Sequence, residues 1–216
     1  MKNMTLENIA AACGGSLYME QAGLSAACHK ASGDSAGTQR EASCVVIDSR
    51  KLEPGGVFVA ARGERVDGHD FIPQAAEKGA LGIVCEKPPK GGEAPYILVD
   101  DSFKALRDIA EYYRRQLTIP VIGITGSVGK TSTKEMIAGV LSQGFQTLKT
   151  EGNFNNEIGL PLTVLRIRPE HEAAVVEMGI SDFGEMHRLS RIAHPDICVM
   201  TNIGKCHLEN LGSREG

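Results

Sequence analysis

The chain has no tryptophan, and only four tyrosines and six phenylalanines stand among its 216 residues. Single-stranded nucleic acid is gripped by aromatic platforms, which this sequence does not supply. Nor does it supply a basic surface, because 27 acidic residues outnumber 23 basic ones and leave a net charge of -4. Nucleic acid is not expected as a partner. No two cysteines form a C-x-x-C pair, so Cys13, Cys28, Cys44, Cys85, Cys198 and Cys206 lack the short spacing on which zinc sites are built. Most lie in apolar stretches such as Cys44-Val45-Val46-Ile47, where a thiol packs as a small hydrophobe. No segment has the apolar length of a membrane span, and no apolar run follows a basic start as in a secretory leader. The expectation is a cytoplasmic, monomeric protein with small-molecule partners and no membrane insertion.

What is present is an ordinary globular composition, 42% hydrophobic, in a length that suits two small domains or one domain and part of another. Residues 5–13 read as a helix, capped by Thr5 and ended by Gly14-Gly15. Residues 21–43 are rich in Ala, Ser, Gly and Thr without a period, which reads as a flexible insertion. Short strands are expected at 44–48, 57–61, 82–86 and 96–99, with a helix over 69–78 between them, closed by Gly79. Ser102 is read as the cap of a helix with Phe103, Leu106, Ile109, Ala110 and Tyr113 on one face. After Pro120 the pattern alternates regularly: strands at 121–125, 147–150, 173–178 and 196–201, with helices over 130–141, 158–165 and 184–193 between them. Such alternation predicts an α/β fold with a parallel sheet and crossover helices. Residues 1–100 are thus expected to form one small mixed α/β domain, and 101–216 the first part of a second domain built on a parallel sheet.

The strongest local signal is Val121-Ile122-Gly123-Ile124-Thr125-Gly126-Ser127-Val128-Gly129-Lys130-Thr131-Ser132. An apolar strand runs into a glycine turn that opens a helix, and the unpaired amides and positive dipole end of such a helix favour a phosphate. Lys130 would add a full charge at the terminal phosphates of ATP, and the Thr131 hydroxyl could ligate Mg²⁺. The general pattern GxxxxGK[ST] would place its first glycine at Ile124, whereas Gly123 lies one residue early. An ordinary strand–turn–helix with a solvated lysine would use the same residues. Mg²⁺ also needs a carboxylate. Glu177, at the end of an apolar strand on the sheet edge that carries the loop, meets that need, with helix capping as its other reading. His207 follows the next strand onto the same edge, as a ligand or a surface residue, while His29, His171, His187 and His194 carry no such signal.

Taken together, several motifs resemble the Mur ligases of bacterial cell-wall synthesis. They are the phosphate loop with Thr133-Lys134-Glu135, the run Glu151-Gly152-Asn153-Phe154-Asn155-Asn156-Glu157-Ile158-Gly159, Val175-Val176-Glu177-Met178-Gly179, and Thr201-Asn202-Ile203-Gly204 with His207-Leu208-Glu209. Earlier in the chain, Asp48-Ser49-Arg50, Pro54-Gly55-Gly56-Val57-Phe58 and Asp67-Gly68-His69-Asp70-Phe71 resemble the UDP-binding domain of that family. The resemblance implies a three-domain, ATP-dependent amide-forming ligase of peptidoglycan precursor synthesis, of which this chain holds the UDP-binding domain and a truncated P-loop ATPase domain. Among family members it points to the reaction joining D-alanyl-D-alanine to a UDP-N-acetylmuramoyl-tripeptide through an acyl phosphate. It implies ATP contacts at Gly126 to Ser132, Asn155 and Asn156 toward phosphates or metal, and Mg²⁺ on Thr131, Glu177 and His207. Lys130, Glu177 and His207 would carry the catalysis, and Ser49, Arg50 and Arg65 would face the UDP end. It also implies a carbamylated lysine a few residues beyond Gly216 and poor catalysis by this segment alone. A related Mur-type or folylpolyglutamate-type ligase adding one amino acid, a non-catalytic nucleotide-binding switch and a UDP-sugar binding module stay open as alternatives.

Overall fold

The computed structural model describes residues 1–19, 40–90 and 94–213, arranged as two compact units, Met1–Ile109 and Ala110–Gly216. Most of the Ala- and Ser-rich stretch 21–43 lies outside the described residues, as do Arg214 and Glu215.

The first unit opens on α1 (Leu6–Cys13), where the Thr5 hydroxyl accepts the Asn8 amide and Gly14 ends the helix at φ 67°. Five strands follow: β1 (Ser16–Tyr18), β2 (Val45–Val46), β3 (Val57–Val59), β4 (Gly82–Cys85) and β5 (Tyr96–Leu98). They form one sheet in the order β1-β5-β4-β3-β2, parallel except where β1 runs antiparallel to β5. Residues 69–78 are not one continuous helix. Asp67 accepts the His69 amide and winds a 3-10 turn over Gly68–Phe71, and α2 (Ile72–Glu77) then starts with Pro73 in its first turn, where no amide is needed. Phe58, Ile72, Ala75, Ile83 and Cys85 pack together as a core. Burial pushes the Cys85 thiol up to about 11, which makes it an inert hydrophobe, as its apolar surroundings in the sequence suggest.

The division between the units falls within α3 (Ser102–Arg114). Its cap is Asp101, whose carboxylate accepts the Lys104 amide, and Ser102 does not serve as the cap. The Ser102 hydroxyl is turned inward to the Ala60 carbonyl and its amide donates to Glu86, because the residue is fully buried.

The second unit carries β6 (Val121–Thr125), α4 (Lys130–Leu141), β7 (Thr147–Lys149), α5 (Gly159–Val164), β8 (Ala173–Glu177), α6 (Glu185–Ala193), β9 (Ile197–Met200) and α7 (Leu208–Leu211). Its sheet is parallel throughout in the order β7-β8-β6-β9, so the ends of β6, β8 and β9 meet at one edge. β6 and β8 are buried at every position, in line with the apolar runs that precede their polar last residues, Thr125 and Glu177. Among the described residues β9 stands last in that order, with Ile197 and Met200 more than half exposed. No helix among the described residues is long and apolar enough to cross a membrane.

Arg114 fastens this unit internally. The side chain is 4% exposed and donates to the carbonyls of Ala193, His194 and Leu117 and to the Asp196 carboxylate. Burial draws its guanidinium below the usual arginine value, and Asp196 opposes that shift. Arg114→Ala would leave buried carbonyls without donors and should cost about 3 kcal/mol of stability, read by denaturant unfolding of the full-length protein. A loss within measurement error would show that water replaces the guanidinium.

Candidate active site

The site is assembled where β6, β8 and β9 end. Between β6 and α4 the chain turns through Gly126 at φ 128° and Gly129 at φ 83°. No side chain caps α4, and its first backbone bond runs from the Thr133 amide to the Gly129 carbonyl. The amides of residues 129–132 thus have no partner within the helix and lie at its positive end. Those of Ser127 and Val128 are held by Asn202, through its carbonyl at 3.1 Å and its side-chain oxygen at 3.1 Å. The Thr201 hydroxyl bridges the carbonyls of Thr125 and Val128, and Gly204 donates to the Ser127 hydroxyl. The loop after β9 therefore braces the front of the turn and leaves its helical end open. Lys130 folds back on the turn, its ammonium 2.7 Å from the Gly126 carbonyl. A cavity of about 90 Å³ lies against this turn, bordered by Thr125, Gly126, Ser127, Asn202 and Gly204. The Thr125 hydroxyl is buried, with no partner among the described residues.

Glu177, the last residue of β8, is 3% exposed. Its two oxygens accept from the Thr131 hydroxyl at 3.0 Å and from the Asn155 amide nitrogen at 2.9 Å, and its backbone amide donates to the Thr150 hydroxyl. Thr131, Glu177 and Asn155 are thus brought together by three separate segments. A hydroxyl and a carboxylate side by side form the hard oxygen set that suits Mg²⁺ when phosphates and water complete its octahedron. Among the described residues no three His, Cys, Asp or Glu side chains gather as a metal cage. His207 begins α7 in a left-handed conformation, about half exposed, with Glu209 3.8 Å away. The side-chain oxygen of Asn156 accepts the amides of Ile158 and Gly159 at the start of α5. Ser132 lies exposed in the first turn of α4.

Sequence reasoning passed over Thr150, Asn202 and Lys134 as parts of this site. Lys134 carried a signal: four residues after Lys130 in a helix, it returns to the same face. The role of Asn202 depends on β9 lying beside β6, which no local pattern shows.

The first unit has a cleft of about 500 Å³ bordered by Ile47, Asp48, Ser49, Arg50, Val66 and Phe71. Ser49 is buried and donates its hydroxyl to Gln74. Arg50 is exposed, and its guanidinium makes two hydrogen bonds to Asp48 and its backbone amide a third, holding that carboxyl below the usual carboxylate value. Arg65 is exposed, between Arg62 and Asp67, which pair across the neck of its loop.

Comparison with known proteins agrees with this fold. The Mur ligase family catalytic domain matches residues 41–122 and the Mur ligase middle domain matches residues 124–216. The UDP-N-acetylmuramoyl-tripeptide–D-alanyl-D-alanine ligase of Bacillus subtilis is 49% identical over 176 residues, covering 80% of this chain and 38% of the relative. The enzyme of the same name from Escherichia coli is 41% identical, over 85% of this chain and 40% of the relative. The chain therefore spans about two fifths of the length of these curated relatives. A crystal structure of MurF from Acinetobacter baumannii superposes with a TM-score of 0.79 at 34% identity, over 98% of this chain and 43% of the other. A MurF ligase from Thermotoga maritima in complex with ADP gives 0.71 at 40% identity, over 80% of this chain and 40% of the other. The two family matches adjoin within β6, the strand that leads into the phosphate turn, and the chain belongs to the Mur ligase family.

Proposed function

We propose that the full-length protein joins D-alanyl-D-alanine to a UDP-N-acetylmuramoyl-tripeptide, coupled to ATP cleavage, as a monomeric cytoplasmic enzyme of peptidoglycan precursor synthesis. The observation that carries this reading is the pairing of Thr131 with a buried Glu177 beside an uncapped helix start. The names of the curated relatives supply the substrates.

A carboxylate resists attack by an amine in water, so it must first receive a good leaving group. In the first step a terminal carboxylate oxygen of the tripeptide attacks the γ-phosphorus of ATP, the bond to the bridging oxygen breaks, and ADP departs. The amides of residues 129–132 hold the phosphates, and Lys130 leaves the Gly126 carbonyl to meet the charge that develops on them. Thr131 and Glu177 would hold Mg²⁺, with His207 toward a second ion, and bound metal supplies further positive charge to the phosphate oxygens. In the second step the amine of D-alanyl-D-alanine attacks the acyl phosphate, and phosphate leaves from the tetrahedral intermediate as the amide forms. The cleft lined by Ser49 and Arg50 would take the UDP end of the acceptor, with Arg65 on the exposed loop near it.

Two measurements test this reading. In the full-length protein, ADP with Mg²⁺ at 100 times its Kd should add about 2.7 kcal/mol of stability, and UDP should do the same independently. ATP cleavage should require the UDP-linked tripeptide and should incorporate D-alanyl-D-alanine in preference to single amino acids. Turnover without the acceptor, or preference for one amino acid, refutes the assignment.

A further inference from the structure

Lys134 lies one turn beyond Lys130 on α4 and is only 2% exposed. A lysine sealed in this way must spend its charge on buried partners. Its ammonium donates to the Thr150 carbonyl at 2.9 Å, meets Glu135 at 3.1 Å and stands 4.0 Å from Glu177. Among the described residues it is the cation within ion-pair reach of Glu177, whose other partners, Thr131 and Asn155, are neutral. Glu135 also pairs with Lys149, so charges alternate from Lys149 through Glu135 and Lys134 to Glu177. At 4.0 Å the ammonium offsets the charge of Glu177 while leaving its lone pairs for other donors or a metal. Thr150 ties the same group together: its carbonyl takes Lys134, and its hydroxyl takes the Glu177 amide. The segment leaving Thr150 then delivers Asn155 to Glu177.

We propose that Lys134 is a positioning residue that fixes the Glu177 carboxylate, and the segment 150–155 beside it, in the geometry that receives the divalent cation of the bound nucleotide. This rests on the reading of Glu177 as a metal ligand. The phosphate contacts proposed for Lys130 do not involve it, since the Lys134 ammonium bonds the Thr150 carbonyl and that of Lys130 bonds the Gly126 carbonyl.

The test uses the full-length protein, with ADP affinity measured by calorimetry in chelator and in Mg²⁺, and with melting temperature as a second readout. Lys134→Met should cut the gain in ADP affinity that Mg²⁺ brings by tenfold or more, while affinity in chelator stays within about twofold. It should also lower the melting temperature, because Glu177 becomes a buried charge without a counter-charge. Adding Glu177→Gln to it should recover most of that loss. An unchanged Mg²⁺ gain in Lys134→Met overturns the proposal, as does a double variant no more stable than Lys134→Met, which would leave Lys134 as a clamp on Thr150 alone. If Lys134→Met does not fold, the double variant decides: folded supports the proposal, unfolded overturns it. Glu177→Gln alone separates the two readings. If it leaves the Mg²⁺ gain intact, the metal assignment itself fails; if it abolishes the gain and Lys134→Met does not reduce it, only the role of Lys134 fails.

Discussion

Lys130→Ala in the full-length protein should slow acyl phosphate formation by about a hundred- to a thousandfold, the range expected when a donor aimed at developing charge is removed. The ammonium is 2.7 Å from the Gly126 carbonyl and within 3.5 Å of that of Ser127, so it needs only to swing from the turn's own oxygens to phosphate oxygens. A point charge at the mouth of an uncapped helix acts on the transferring phosphoryl group more than on the departing nucleotide. ADP affinity should therefore fall less than turnover does. Single-turnover formation of ADP checks this, with the melting temperature as a control for the turn's integrity. Near-normal turnover in a folded variant would remove Lys130 from the reaction.

Gly126→Ala should abolish measurable nucleotide binding, a loss of at least a hundredfold. The reason is steric as well as conformational. A Cβ at this position would come 2.2 Å from the Thr201 hydroxyl oxygen and 3.0 Å from the backbone nitrogen and oxygen of Asn202, and the φ of 128° is one that side chains rarely adopt. Thr201 cannot retreat cheaply, because its hydroxyl bridges two carbonyls of the turn, and Asn202 holds the Ser127 and Val128 amides. One methyl group would thus part the two halves of the site. Gly129→Ala is the informative contrast, since a Cβ there finds only the Thr201 Cβ at 4.0 Å and meets strain without a clash. Calorimetry with ADP should rank the two, Gly126→Ala much the worse. Equal and mild losses would mean that the turn is pliant.

The contrast between these glycines marks what the sequence could convey. The strand–turn–helix at 121–141 was legible because apolar continuity, glycine and helix period all change within a few residues, and α4 begins at Lys130 as that pattern requires. The helix at Leu6–Cys13 was legible from Thr5 and Gly14, whose caps act within a few bonds of themselves. β1 was not, since Ser16-Leu17-Tyr18 is short and acquires its strand only by pairing with β5, far along the chain. The same limit hid the lateral order β7-β8-β6-β9 and with it the reach of Asn202 to the phosphate turn. Ser102 looked like a cap because serines often are, but burial gave its hydroxyl to Ala60 and left the role to Asp101. Asn155 and Asn156 are adjacent and alike, yet one bonds Glu177 and the other opens α5, a choice made by the backbone path and not by residue type.

β9 serves two masters. Its inner flank is bonded to β6 and, through Thr201 and Asn202, steadies the phosphate turn; along the same strand Ile197 and Met200 are more than half exposed among the described residues. Any displacement of β9 along β6 would carry Thr201 and Asn202 with it, and so would be felt at the turn they hold.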